Sequence, residues 1–111
     1  MENLSDYSIQ DAYHLFNGKY FGGKLPDIPV LWKKYLVKKG WIGITVGGKE
    51  QAKEIHLNPY YRRSSSVWGR TLFHEMVHVE QWSIPAKQCH GRAFEKRMKQ
   101  LAARGAFKGM W

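Results

Sequence analysis

Cysteine is nearly absent: Cys89 stands alone in 111 residues. One thiol excludes an intramolecular disulfide and points to a reducing, cytoplasmic compartment. Acids are scarce as well. Nine Asp and Glu face eighteen Lys and Arg, for a net charge of +9. Such a balance favours polyanionic partners, whether nucleic acid, an anionic membrane or an acidic protein. No apolar run approaches the length of a bilayer span, so no membrane association is expected. The start, Met1-Glu2-Asn3-Leu4-Ser5-Asp6, lacks the basic-then-apolar pattern of a leader. What the chain does have is folding material: 43% of it is hydrophobic and 14% aromatic. That excludes a disordered chain. The length fits one domain, residues 1–111, and leaves no room for a second.

The order of elements follows from periodicity. Ile9, Ala12, Tyr13, Phe16 and Tyr20 recur at spacings of three and four, which predicts a helix over residues 8–21. Ser5, Asp6 and Ser8 are candidate N-caps, and Gly22-Gly23 stops it. His14 falls off the apolar stripe and reads as an exposed or half-exposed histidine. From Val30 to Leu57 the pattern reads as strands: Val30-Leu31-Trp32, then residues 41–46, then residues 54–58. Tyr35-Leu36-Val37 lies among Lys33, Lys34, Lys38 and Lys39. Alternation points His56 away from Ile55 and Leu57, as an outward-facing strand histidine. Ser64, Ser65 and Ser66 offer caps for a helix over residues 67–82, which Pro85 ends. Phe94, Met98 and Leu101 predict a last helix over residues 91–103. The fold class is α+β, with a small sheet packed against about three helices.

One stretch carries chemistry: His74-Glu75-Met76-Val77-His78. Positions four apart share a helix face, so both histidines can hold one metal ion. Glu75 can reach a water on that metal and act as general base. A catalytic zinc takes three protein ligands and keeps one position open. Candidates for the third are His90, Cys89, Glu80 and Glu95. Glu80 lies about 200° round the helix from His78 and points away. His90 is favoured, because imidazole is the commonest catalytic ligand and a loop can fold it back. A thiolate from Cys89 as fourth ligand would close the site and make the zinc structural. The strand at 41–46 is the candidate edge for an extended peptide substrate, since its glycines admit another backbone.

These residues also resemble a known family. Phe16-Asn17-Gly18-Lys19-Tyr20-Phe21-Gly22-Gly23-Lys24-Leu25-Pro26 is similar to the opening signature of the SprT-like (Spartan-type) zinc metalloproteases. Val30-Leu31-Trp32, Gly43 through Thr45 and Ile55-His56-Leu57-Asn58 resemble their strands. Thr71 through His78 and His90-Gly91-Arg92-Ala93-Phe94 resemble the segments that bring the ligands. The resemblance implies a zincin-like domain with the motif on its central helix. It implies one Zn²⁺ on His74, His78 and His90, with Glu75 as catalytic acid/base. It further implies peptide-bond hydrolysis, in some members of proteins bound or crosslinked to DNA. With one cysteine, no C-terminal zinc ribbon is expected. DNA contacts would then come from Lys87, Arg92, Lys96, Arg97, Lys99, Arg104 and Lys108, with Lys33, Lys34, Lys38 and Lys39 as another patch. A solvated charged face is the plain alternative for such a patch. From a different class, the chain also reads as a non-catalytic DNA-binding or adaptor domain with a structural zinc.

Overall fold

The first helix, α1 (Ile9–Tyr20), begins at Ser8, whose Oγ accepts the Asp11 backbone N–H at 3.0 Å. All five stripe residues are buried. Polar residues of α1 fix the path of the next segment. Asn17, itself buried, bonds both the N–H and the carbonyl of Leu25, and Gln10 bonds the Ile28 carbonyl and the Val30 N–H. Tyr13 donates to the Pro26 carbonyl at 2.6 Å. The extended segment after α1 is thus tied back along it and delivered into the sheet. Our computed structural model describes residues 4–84 and 90–105.

Among the described residues the sheet has three strands, in the order β1-β3-β2. Strand β1 (Val30–Trp32) runs parallel to β3 (Ala52–Leu57), and β2 (Gly43–Gly47) runs antiparallel to β3. Strand β2 therefore forms one end of the sheet. Between β1 and β2 the chain forms a short helix, α2 (Tyr35–Lys39), where the lysine-flanked stretch reads as strand. Only Leu36 needs burying there, while Tyr35 and Val37 stay exposed. One helical turn, ended by Gly40 at φ 69°, buries that leucine as well as an alternating strand would. Trp41 and Ile42, read as strand, lie just before β2 and are exposed.

His56 corrects a second expectation. It does point away from Ile55 and Leu57, but it is only 9% exposed. Its Nδ1 lies 2.5 Å from the Tyr35 hydroxyl and its Nε2 lies 2.7 Å from Glu54 Oε1. The short helix supplies that tyrosine, so this face is not open to solvent at His56. The bond to His56 is the main cause that holds the half-exposed Glu54 carboxyl below its usual range.

The helix carrying the histidine pair, α3 (Ser65–Glu80), starts two residues earlier than expected and ends before Trp82. Ser64 contributes its carbonyl, accepting from Val67 and Trp68, and no side-chain cap. Pro85 lies outside the described residues. Buried residues occur on most sides of α3, which packs on β2, β3, α1 and the last helix, α4 (Arg92–Ala103). Phe73 stacks on Phe16 at 4.2 Å, with Tyr20 edge-on at 5.4 Å. Truncating a phenylalanine so buried costs on the order of 3–5 kcal/mol, so this cluster anchors α3 against α1. Among the described residues, no helix is long and apolar enough to cross a membrane.

Gly43 sets the distance between sheet and helix. A Cβ there would lie 2.7 Å from Thr71 Cγ2 and 3.0 Å from Leu57 Cδ2. Only glycine lets β2 lie this close to α3, one turn ahead of Glu75.

Candidate metal centre

His74 and His78 stand one turn apart on α3, with Nε2 atoms 3.1 Å apart. His90, just before α4, brings its own Nε2 to 3.1 Å from each. The three nitrogens form a triangle that hydrogen bonds cannot satisfy. In a neutral ring, Nε2 is either donor or acceptor, so at least one of the three contacts pairs like with like. A single cation would serve all three lone pairs. Nitrogens about 2.0–2.1 Å from a tetrahedral zinc lie roughly 3.3 Å apart, close to the spacing found. Burial lowers the His78 pKa to about 4, aided by His74 and His90, and burial also lowers that of His74. Both rings are thus held in the neutral form that binds metal.

Glu75 sits beside this cluster, 6% exposed. Its Oε1 accepts from the Thr45 hydroxyl at 2.9 Å, and its Oε2 lies 3.9 Å from His74 Nε2. Burial raises its pKa to about 7, against the opposing effect of the Thr45 bonds. The family model described as SprT-like covers residues 9–108. The chain belongs to the SprT-like family. No curated protein and no solved structure gives a significant match.

In this SprT-like chain two of the remaining ligand candidates stand apart from the cluster. Glu80 accepts from Arg97 Nε at 2.8 Å, and Glu95 is exposed and outside the cluster of three histidines. Cys89 lies outside the described residues. His14 is exposed and faces Asp27 at 3.6 Å. From its spacing in the sequence Phe94 reads only as core. The structure sets its ring 4.8 Å from His74, 4.8 Å from His78 and 5.1 Å from His90. It packs against all three imidazoles and fixes their planes. The signal for it is the spacing His90-Gly91-x-x-Phe94, one helical turn after the histidine.

A cleft of about 710 Å³ opens over the histidines, walled by Gly43, Ile44 and Thr45 of β2 on one side and by Trp82 and Ile84 on another. A smaller one of about 410 Å³ continues past Gly43 to Trp41, Ile42 and Arg70. Strand β2 therefore lines the groove that passes the histidines. Trp82 donates its indole N–H to the Gly48 carbonyl at 2.7 Å, closing the far end.

The basic set splits. Arg97 and Arg104 both donate to the Tyr20 carbonyl at 3.1 Å, and Arg104 also reaches the Lys19 carbonyl. They cap the C-terminal end of α1, where a cation also meets the helix dipole. Arg92, Lys96 and Lys99 remain exposed on α4, and Lys34, Lys38 and Lys39 on and around α2. Lys87 and Lys108 lie outside the described residues.

The buried Glu75 makes the metal-free protein sensitive to pH. Its folded pKa of about 7 exceeds the value of 4.5 for a free carboxyl. Below 4.5 both states are protonated; between 4.5 and 7 the unfolded state ionises first, so stability falls as pH rises through that window. The stability gap between Glu75→Gln and wild type is expected to widen by about 2 kcal/mol from pH 5 to pH 8, because the amide has no charge to desolvate. Urea denaturation of chelator-treated samples checks this, and a constant gap would contradict it.

Proposed function

We propose that the chain is a cytoplasmic, intracellular zinc-dependent metalloendopeptidase. In this reading, residues 1–111 form a single zincin-like domain that holds one Zn²⁺ on His74, His78 and His90, with Glu75 as catalytic acid/base. The observation that carries it is the convergence of three Nε2 atoms beside one buried carboxylate, on the wall of an open cleft. Membership of the SprT-like family supports it.

Zinc, when bound, supplies a Lewis acid that acidifies water and polarises a carbonyl. The chain's own groups do the rest. Phe94 and α3 hold the three imidazoles in place. Glu75 accepts the proton of the attacking water and passes it to the leaving nitrogen. An unprotonated carboxylate is needed for the first step and its conjugate acid for the second, which a buried group can alternate between. Strand β2, at the end of the sheet among the described residues, offers its backbone edge to an extended peptide. A structural zinc would want a fourth protein ligand, and among the described residues the cluster has three.

The substrates we infer are proteins bound or crosslinked to DNA. The net charge of +9 and the exposed Arg92, Lys96 and Lys99 support that inference. The test is cleavage of casein and histone by zinc-loaded protein, with and without single-stranded DNA. Cleavage that chelation stops and zinc restores is expected, and DNA should stimulate it in a salt-dependent way. Loaded protein that cuts nothing under either condition would overturn the enzyme reading. Cleavage indifferent to DNA and salt would remove only the DNA part.

A further inference from the structure

We propose that Thr45 is a positioning residue that decides which oxygen of Glu75 does the acid–base work. The inference rests on the protease reading above and adds to it. A helix fixes the Cα of Glu75 but not the plane of its carboxylate, because the terminal torsion of Glu is broad. Something outside the helix must set that plane. Thr45 stands on β2, 30 residues away in sequence, and its hydroxyl lies 2.9 Å from Glu75 Oε1 and 3.2 Å from the Glu75 backbone carbonyl. Both acceptors belong to one residue, so the hydroxyl holds the carboxylate relative to its own backbone. The other oxygen, Oε2, is the one 3.9 Å from His74 Nε2 and so turns to the histidine cluster.

The consequence is a division of labour. Oε1 keeps one lone pair on the Thr45 proton throughout. Oε2 is the free acceptor on the cleft side. As water attacks, one of its O–H bonds breaks and Oε2–H forms. Oε2–H then breaks as an N–H bond forms on the departing amine, and the Thr45 proton never leaves Oγ1. A β-branched residue suits the task, since its χ1 is stiff. The short approach depends on Gly43, two residues earlier, where any side chain would meet Thr71.

Thr45→Val keeps the shape and removes the proton donor, while Thr45→Ser keeps the donor. With wild-type zinc content in all three proteins, kcat on casein is expected to fall about 10–100-fold in the valine variant with KM unchanged, and to recover largely in the serine variant. A second readout needs no turnover. In metal-free protein labelled with ¹³C at glutamate side-chain carboxyls, the Glu75 resonance should move in Thr45→Val and return in Thr45→Ser. Unchanged kcat in the valine variant overturns the proposal and leaves the protease reading intact. Equal losses in both variants make Thr45 a packing residue and overturn it too. Wild type that cleaves nothing removes the reading and this inference together.

Discussion

Glu75→Gln is expected to abolish cleavage while zinc and fold stay in place. The two side chains have the same shape. The amide oxygen of the glutamine can take the place of Oε1 and accept from Thr45, so the contact between β2 and α3 survives. The amide nitrogen then occupies the position of Oε2, where it has no lone pair to take a proton from water. Positioned proton transfer contributes about 10²–10⁴-fold in such reactions, and kcat should fall by that order with KM little changed. The three imidazoles are untouched, and the carboxylate does not belong to their triangle. Metal analysis should therefore give the wild-type zinc ratio. The decisive comparison is kcat per bound zinc on casein. Undiminished turnover in the glutamine variant would remove Glu75 from the proton path and direct attention to another base in the cleft.

The sequence revealed what repeats and hid what depends on a distant partner. The α1 stripe was legible because burial on a helix recurs every three or four residues, and all five stripe positions are buried. His74 and His78 were legible for the same reason, since a spacing of four sets one face. His90 was only favoured, because a loop's path leaves no periodic trace, and Cys89 beside it offered the same chemistry. The α2 helix is not legible in the sequence because one buried leucine satisfies a helix turn and a strand equally. His56 reads as solvent-facing because alternation reports which face a residue is on and not what covers that face. From the sequence Thr45 reads only as a strand residue. Its role depends on Gly43 letting β2 approach α3, a contact with no local signature. The arginines of α4 read as a free charged face, yet Arg97 and Arg104 spend their donors on α1 carbonyls from the far end of the chain.

His90→Ala is expected to strip the zinc and leave the fold standing. His90 is exposed and precedes α4, so its loss removes a ligand but little buried surface. Phe94 keeps its contacts with His74 and His78, which hold the remaining pair in place. Two imidazoles one turn apart still bind zinc, but weakly. Losing a hydrogen-bond partner of a ligand already costs about 10–100-fold in affinity, and losing the ligand itself should cost more. After dialysis against a competing chelator, wild type should keep near one zinc per chain and His90→Ala close to none, with unchanged far-ultraviolet circular dichroism. Set beside Glu75→Gln, the pair separates two failures that an activity assay alone confuses. One variant holds zinc and cannot move the proton, and the other can move the proton and holds no zinc. Full occupancy in His90→Ala would mean that another group completes the site, and Cys89, one residue away, would be the first to substitute.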